Sequence, residues 1–299
     1  WQGEVLLFSQ SKQGFPQLCS VNKVVDEEFD TIHYILLFSD ITQLKETQKQ
    51  LEQLAHHDGL TGLFNRYQFN IAVHKAIFEA QQSHDKFALF FIDLDNFKYI
   101  NDTMGHEIGD AFLQEVAYRL QQVTRGSDIV ARFGGDEFVL LLKNLREQDY
   151  ISVLANKVRE AINSQFMIQN KEIYASASIG IALYPQDGTS SKELIKAADI
   201  AMYSAKDKGK NAFQFFMPEM NIAIKEKLNY EESLRNAMQC DEFEFHYQVK
   251  HSTDNYSIIR AEGLLRWRKG GTELIMPNEF IAIAEESGLI VPISYHIFE

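Results

Sequence analysis

Between residues 58 and 216 the sequence alternates helical and strand patterns, which limits the folds that the chain can adopt. The patterns predict four helices, at 66–82, 107–123, 149–164 and 191–208, and four strands, at 87–92, 129–133, 137–142 and 174–182. The second and third strands are separated only by a short glycine turn and therefore form a hairpin. This alternation around a central hairpin predicts an α/β fold, with a mixed central sheet covered by helices.

Shorter patterns precede this region. Residues 3–8, 18–21 and 33–39 alternate apolar and polar side chains, which predicts an antiparallel sheet with turn-like segments at 11–15 and 26–30. A helix is expected from 42 to 57, capped by Asp40 or Thr42. Its apolar residues fall mostly in a heptad-like stripe, which fits either a signalling connector or a single amphipathic helix on the next domain.

After residue 216 the sequence predicts one more helix, at 219–238, followed by strands at 243–249 and 256–267. The chain begins with Trp1 and stops within a helical pattern, so we expect both ends to be cuts in a longer protein. No uncharged apolar run reaches the roughly 18 residues of a membrane span, and no signal peptide is recognisable. A membrane anchor in a preceding part is left open.

The charge and the cysteines argue against three classes of protein. With 29 basic and 42 acidic residues, the formal net charge is −13, so the basic footprint of a nucleic-acid-binding protein is missing. Cys19 and Cys240 are far apart and lie in no metal-ligand spacing. We therefore expect neither a disulfide scaffold nor a zinc module, and a reducing, cytoplasmic compartment.

Two acidic clusters interrupt the apolar strands. One strand ends in Phe91-Ile92-Asp93-Leu94-Asp95, and the hairpin turn reads Gly134-Gly135-Asp136-Glu137-Phe138. If the two strands are neighbours, Asp93 and Asp136 converge at one edge of the sheet. A few hard oxygen ligands, with room for water and phosphate, hold Mg²⁺ at a nucleotide in this way. Turns are often acidic for solubility alone, so neither cluster establishes a site by itself.

The second cluster is the signature of the GGDEF diguanylate cyclases, and the chain resembles this family over residues 58–217. Three further motifs of the family are matched in order: Asp58-Gly59-Leu60-Thr61-Gly62-Leu63-Phe64-Asn65-Arg66; Asp93-Leu94-Asp95-Asn96-Phe97-Lys98-Tyr99-Ile100-Asn101-Asp102 with Gly105-His106 and Gly109-Asp110; and Ala205-Lys206-Asp207-Lys208-Gly209-Lys210-Asn211. The resemblance implies a nucleotide-cyclase or palm-like fold. It also implies condensation of two GTP into cyclic di-GMP and two pyrophosphates by a homodimer.

The resemblance also implies catalytic roles. Asp93, the backbone carbonyl of Leu94 and Asp136 would hold Mg²⁺ or Mn²⁺ against the triphosphate. Asp136 would accept the proton of the attacking 3′-hydroxyl, and Glu137 would support the metal and the transition state.

By the same resemblance, the substrate-binding residues would be Phe97, Lys98, Asn101, His106, Asp110, Lys206 and Lys210. Asn101 and Asp110 would read the guanine edge, because a carboxylate accepts from N1–H and N2–H₂ while an amide addresses O6 or N3. Lys206 and Lys210 would neutralise the β and γ phosphates. The backbone N–H groups of Phe97 and Lys98 would cradle phosphate. Many members have Arg at the last position, so Lys210 supplies a charge without a bidentate fork.

The segment Arg125-Gly126-Ser127-Asp128 lies nine residues before the first signature glycine. It resembles the family's inhibitory product site, Arg-x-x-Asp. An arginine can stack on guanine and donate to its O6 and N7, while an aspartate accepts from the opposite edge. The alternative is a surface turn with an incidental ion pair.

A second resemblance, to the opening of an EAL phosphodiesterase domain, begins after residue 217. It is carried by Tyr247-Gln248-Val249, Ala261-Glu262-Gly263-Leu264-Leu265-Arg266-Trp267, Pro277-Asn278-Glu279-Phe280-Ile281 and Ala284-Glu285-Glu286-Ser287-Gly288-Leu289-Ile290. It implies that Glu262 is a metal ligand and Arg266 a phosphate contact, although Gly263 replaces the usual Ala. Because only part of that barrel is present, we expect no phosphodiesterase activity from this chain.

The first forty residues resemble the C-terminal half of a PAS sensor domain, through Trp1-Gln2-Gly3-Glu4 and Phe38-Ser39-Asp40-Ile41-Thr42; an unrelated sheet fragment is the alternative. The sequence thus predicts part of a PAS domain at 1–41, a linker helix at 42–57, a GGDEF domain at 58–217 and a partial EAL domain at 218–299.

The expected function is a signal-regulated diguanylate cyclase inhibited by its product. Two alternatives stay open. The GGDEF domain is a non-catalytic module that binds GTP or cyclic di-GMP and regulates an attached phosphodiesterase, or the intact parent both makes and degrades cyclic di-GMP.

Overall fold

The structure is a computed structural model that describes residues 1–8, 14–26, 31–143, 145, 149–254 and 256–298. The chain divides into two compact units, Trp1–Phe215 and Phe216–Glu299. The described elements of the first unit are β1 (Gln2–Phe8), β2 (Gly14–Asp26), β3 (Thr31–Asp40), α1 (Thr42–His56), α2 (Arg66–Ser83), β4 (Phe87–Asp95), α3 (Phe97–Met104), α4 (His106–Val123), β5 (Ile129–Gly134), β6 (Glu137–Leu142), α5 (Asp149–Asn163), β7 (Phe166–Ile168), β8 (Lys171–Ile173), β9 (Ser176–Tyr184), α6 (Ser191–Asp207) and β10 (Phe213–Phe215). Those of the second are α7 (Glu219–Gln239), β11 (Phe243–His251), β12 (Ile258–Lys269), β13 (Glu273–Ile275), α8 (Pro277–Glu286) and α9 (Ile290–Phe298).

The described residues among the first forty form the predicted antiparallel sheet, in the order β1-β2-β3. Strand β2 begins at Gly14, so the expectation of a turn over 11–15 is wrong for its last two residues, because β2 pairs with β1 over 14–20 and with β3 over 17–26. The remainder of that turn, 11–13, and most of the turn at 26–30 lie outside the described residues. The assignment of this sheet to a PAS domain stays a prediction.

Helix α1 starts where the sequence predicts, since the carboxylate of Asp40 accepts a hydrogen bond of 2.8 Å from the backbone N–H of Thr42. The leucine stripe of the helix is exposed: Leu44, Leu51 and Leu54 each leave more than half of their surface uncovered.

The central sheet has five strands in the order β10-β9-β4-β6-β5. All of the pairings are antiparallel except β9 with β10. On one face, β4 packs against α4 and α5 in the main hydrophobic cluster; α2 and α6 also pack against the sheet, α2 on β5 and α6 on β4 and β9. All nine residues of β4 are buried, as expected for a strand covered on both faces. The predicted α/β architecture is confirmed.

Several short elements were not predicted, namely α3, α8, β7, β8, β10 and β13. Helix α3 has eight residues, of which only Phe97 and Ile100 are buried, so its apolar period is too short to recognise. Strand β9 runs from Ser176 to Tyr184 rather than over 174–182, because it pairs with β4 along its whole length.

The second unit contains an open antiparallel sheet, β11-β12-β13, and three helices. Its core surrounds the fully buried Trp267, together with Phe280, Leu234 and Ile293. The sheet does not close into a barrel over the described residues. In the described part of the chain, no single helix is long and apolar enough to cross a membrane; α8 and α9 meet the length and composition criteria only as a pair bent by 119°.

Candidate active site

Strand β4 ends in two buried carboxylates. Asp93 and Asp95 are only 7% and 5% exposed, and a buried carboxylate is costly unless cations or hydrogen-bond donors surround it. Because alternate residues of a strand face opposite sides of a sheet, the two carboxylates share one face. Leu94 points to the other face, into the hydrophobic core. Each carboxylate therefore needs polar partners on its own side of the sheet.

The β5–β6 hairpin brings the second acidic cluster to the same edge of the sheet. Strand β6 pairs with β4 so that Asp93 lies opposite Glu137, and the N–H of Leu94 donates to the backbone carbonyl of Asp136 over 3.3 Å. Both glycines of the turn have positive φ angles, +143° and +51°, which residues with a side chain rarely adopt. The two strands are neighbours, as the sequence required for convergence of the acidic clusters.

The convergence concentrates negative charge. Burial raises the pKa of Asp93, and the charge of Asp136 adds to this effect, while a hydrogen bond from Lys206 opposes it. Burial also raises the pKa of Glu137, and the negative charges of Asp199, Asp93 and Asp136 raise it further. Crowded carboxylates resist ionisation, and a divalent cation would relieve that repulsion. Among the described residues, however, no group of three His, Cys, Asp or Glu side chains forms a ready metal cage.

Lys206 lies in the last turn of α6 and contacts the carboxylate of Asp93. Its Nζ is 2.7 Å from Asp93 Oδ1. Helix α6 can come this close to the sheet because Gly180 of β9 has no side chain: a Cβ there would lie 1.8 Å from the carbonyl oxygen of Ala198. The close packing of helix and sheet therefore sets the position of the ammonium group.

Asp95 is a site residue that the sequence reasoning left without a role. Its carboxylate accepts hydrogen bonds from the hydroxyls of Ser176 and Ser178 at 2.6 and 2.7 Å and from the backbone N–H of Asn211 at 3.0 Å. It thereby ties β4 to β9 and to the segment that follows α6. The signal in the sequence was a second acid at the end of an apolar strand.

The segment after α6 places Lys210 beside the start of α3. Residues 209–211 all have positive φ angles, and Lys210 Nζ donates to Asn96 Oδ1 over 2.9 Å. Asn96 immediately precedes α3, whose first backbone N–H groups belong to Phe97 and Lys98. The structure thus brings together three of the predicted phosphate-binding residues.

Two consecutive helices, which pack against each other, carry the predicted guanine-reading residues and the neighbouring His106. Asn101 is half-buried in α3, whereas His106 and Asp110 are exposed in α4. A Cβ at Gly109 would lie 1.9 Å from Asn101 Oδ1, so the glycine leaves room for the amide between the helices.

Arg132 is a second residue that the sequence reasoning missed. It is 9% exposed in β5 and donates through Nη1 to both carboxylate oxygens of Asp58, at 2.9 and 3.2 Å. Its Nε and Nη2 donate to the backbone carbonyl of Gly135. Asp58 also accepts from the N–H and hydroxyl of Thr61. Arg132 therefore connects the opening loop to the acidic turn, and its signal was a lone cation in an apolar strand.

The predicted product-site residues form a tight turn before β5. Asp128 donates its N–H to the carbonyl of Arg125 at 2.9 Å, and its carboxylate accepts from the N–H of Arg125 at 3.0 Å. The Arg125 guanidinium lies 4.1 Å from the centre of the Tyr150 ring. A cavity of about 310 Å³ borders this turn, with His57 and Phe64 among its other lining residues.

Comparison with known families decides what this site belongs to. The family model "Diguanylate cyclase, GGDEF domain" matches residues 55–212, slightly more than half of the chain. The chain belongs to the GGDEF family. A second model, the EAL domain, matches residues 231–299, so the sequence-based predictions of a GGDEF domain and of part of an EAL domain are confirmed.

Relatives of this GGDEF protein include the bifunctional diguanylate cyclase/cyclic di-GMP phosphodiesterase MucR of Pseudomonas aeruginosa. It is 43% identical over 258 residues, which are 86% of this chain and 38% of MucR. The chain thus spans less than two fifths of that relative.

Solved GGDEF structures have the same fold. The GGDEF domain of TpbB (YfiN) from Pseudomonas aeruginosa gives a TM-score of 0.56 at 34% identity, over 57% of this chain and 99% of that one. The coiled coil and GGDEF domain of DgcB from Caulobacter crescentus, solved with c-di-GMP, gives 0.53 at 26% identity, over 58% and 93%.

The two predicted EAL residues of this GGDEF protein both lie on β12. Glu262 forms an ion pair with Lys250 at 2.9 Å, and the hydrogen bond from Lys250 lowers its pKa. Arg266 donates to the backbone carbonyl of Leu265. Four residues apart on one strand, Glu262 and Arg266 face the same side of the sheet.

Proposed function

We propose that the GGDEF domain condenses two molecules of GTP into cyclic di-GMP and releases two pyrophosphates. The observation that carries this proposal is the β4–β6 register, which sets Asp93 opposite Glu137 and connects β4 to Asp136. All three acids of the proposed reaction centre lie at the same end of the paired strands β4 and β6. A non-catalytic module would not need to keep them together there.

The donor set fits a divalent cation. Asp93, the backbone carbonyl of Leu94 and Asp136 would hold Mg²⁺ or Mn²⁺, and the raised pKa of Asp93 reflects a site with burial and excess negative charge that favour such a cation. When bound, the cation would polarise the α-phosphate and offset the charge of the triphosphate.

The chain's own residues would carry the remaining steps. Asp136 would accept the proton of a 3′-hydroxyl as its oxygen attacks the α-phosphorus of the second GTP, and the α–β phosphate bond would break. Lys206 and Lys210 would stabilise the negative charge that accumulates on the leaving pyrophosphate. Asn101 and Asp110 would select guanine, with His106 beside them.

Two further features belong to this proposal. Each chain would bind one GTP, so two chains would face each other as a homodimer. Cyclic di-GMP would inhibit by binding at Arg125 and Asp128, in line with the DgcB domain solved with c-di-GMP. The EAL match and the name of MucR favour a longer, bifunctional parent that also degrades cyclic di-GMP.

Incubation of the purified chain with GTP and Mg²⁺, followed by separation of the nucleotides, tests the proposal. We expect cyclic di-GMP and pyrophosphate from the parent protein. Asp136→Asn keeps the shape of the side chain but removes its charge, and turnover should fall at least about a hundredfold. Glu107→Gln, at an exposed acid in α4, is the control and should stay active. Unchanged turnover in a folded Asp136→Asn protein would refute the assignment.

A further inference from the structure

Lys206 and Asp93 are in direct contact, although the proposed function assigns them to different ligands. The ammonium nitrogen lies 2.7 Å from Asp93 Oδ1. Asp93 would bind the cation, whereas Lys206 would bind the triphosphate. A single carboxylate oxygen cannot hold an ammonium group and a small divalent cation at contact distance together, because the two positive charges repel and require the same lone pairs.

We propose that Lys206 is the resting counterion of Asp93 and that cation binding displaces it. This inference rests on the proposed function. A cation that arrives alone must break the ion pair and leaves the ammonium without its partner. A cation that arrives with a triphosphate supplies the ammonium with new anionic oxygens. Cation and nucleotide should therefore bind with positive coupling, each strengthening the other.

The surroundings of the pair make this competition strong. The side chain of Asp93 is 10% exposed and that of Lys206 is 31% exposed, so water compensates poorly for a broken contact. Exposed ion pairs contribute little, but removing one partner from a sheltered pair leaves an uncompensated charge. Lys206 thus offsets the charge of Asp93 until the substrate arrives.

Lys210 offers a matched control. It is also assigned to a phosphate, but its Nζ contacts the uncharged amide of Asn96. Loss of Lys210 should weaken nucleotide binding without freeing a carboxylate oxygen of Asp93.

The test is a titration of the folded chain with Mn²⁺, in which electron paramagnetic resonance measures the concentration of the free ion. It is run without nucleotide and with a GTP analogue that has a methylene bridge between the α and β phosphorus atoms. Lys206→Gln should bind Mn²⁺ alone roughly five- to tenfold more tightly than the parent, within the usual range of coupling. The GTP analogue should then raise the Mn²⁺ affinity of Lys206→Gln by a smaller factor than it raises that of the parent.

Lys206→Arg keeps the positive charge and should keep the low affinity for Mn²⁺ alone, as should Lys210→Gln. Equal Mn²⁺ affinities of the parent and Lys206→Gln would overturn the proposal. Equal tightening in Lys210→Gln would also overturn it, because the effect would then reflect general positive charge. Lys206→Met gives the same comparison if Lys206→Gln does not fold. Cyclic di-GMP formation by the parent is measured separately, so failure of the proposed function is distinguishable from failure of the ion-pair competition.

Discussion

Arg132 and Asp58 form a two-contact ion pair across 74 residues of sequence, with Nη1 at 2.9 and 3.2 Å from the two carboxylate oxygens. The same guanidinium group donates to the carbonyl of Gly135, in the turn that carries Asp136. The contact therefore links the loop that opens the GGDEF domain to the proposed reaction centre. It gives a structural role to two residues that have no direct contact with a proposed ligand.

Replacement of Arg132 by Met should destabilise the domain by about 2–4 kcal/mol, because it leaves Asp58 without its cation and the carbonyl of Gly135 without its donor. Urea unfolding measures this change. The control is Lys143→Met, whose partner Glu79 is half exposed, and it should cost less than about 1 kcal/mol. Equal effects of the two substitutions would show that the contacts of Arg132 with Asp58 and Gly135 stabilise the domain no more than an exposed ion pair does.

The stability contribution of Asp58 should depend on pH. Burial alone would raise the pKa of Asp58, but hydrogen bonds from Thr61 and Arg132 outweigh burial and lower it below the ordinary 3.8. Because the pKa of Asp58 is lower in the folded state, its ionised form stabilises the protein at pH values above the pKa of the unfolded state. This contribution is lost as the pH falls through the pKa of the folded state. Unfolding free energies of the parent and Asp58→Asn, measured from neutral to acid pH, should therefore converge at the acid end. A constant difference would contradict the prediction.

Guanine selection should depend on Asp110. A site built to hydrogen-bond one base leaves polar groups unpaired when another base enters, so kcat/KM for ATP should be at least about a thousandfold below that for GTP. Asp110→Ala should raise KM for GTP, whereas Glu107→Ala, at an exposed acid one turn earlier in α4, should not. Comparable consumption of ATP and GTP by the parent would mean that the pocket is not a guanine site.

Arg125→Ala should relieve product inhibition without changing the initial rate. Arg125 lies before the first residue of β5 and Asp136 lies after its last residue. The two proposed sites are therefore separate, and inhibition through Arg125 would be allosteric. Progress curves with added cyclic di-GMP compare the parent, the variant and Lys157→Ala, an exposed cation in α5. The parent and Lys157→Ala should stall while Arg125→Ala continues. If all three stall at the same product level, the turn at Arg125 is not a product site.

The sequence by itself determined the elements that a local pattern can encode. The long helices and apolar strands of the GGDEF domain lie close to their predicted positions, and the glycines and acids of the β5–β6 turn are consecutive residues. Eight-residue α3 and the three-residue strands were missed, because so few residues carry no reliable period. Short elements depend on the core that surrounds them rather than on their own pattern.

Only the tertiary structure decided which of the marked residues meet. The sequence singled out Asp93 and Lys206 for separate ligands, yet helix packing over Gly180 brings them into contact. Arg132 and Asp58 carried no local sign of a partner, because an ion pair between distant residues leaves no periodic trace. Contacts of this kind follow from strand order and register, which are set by burying apolar faces over the whole domain.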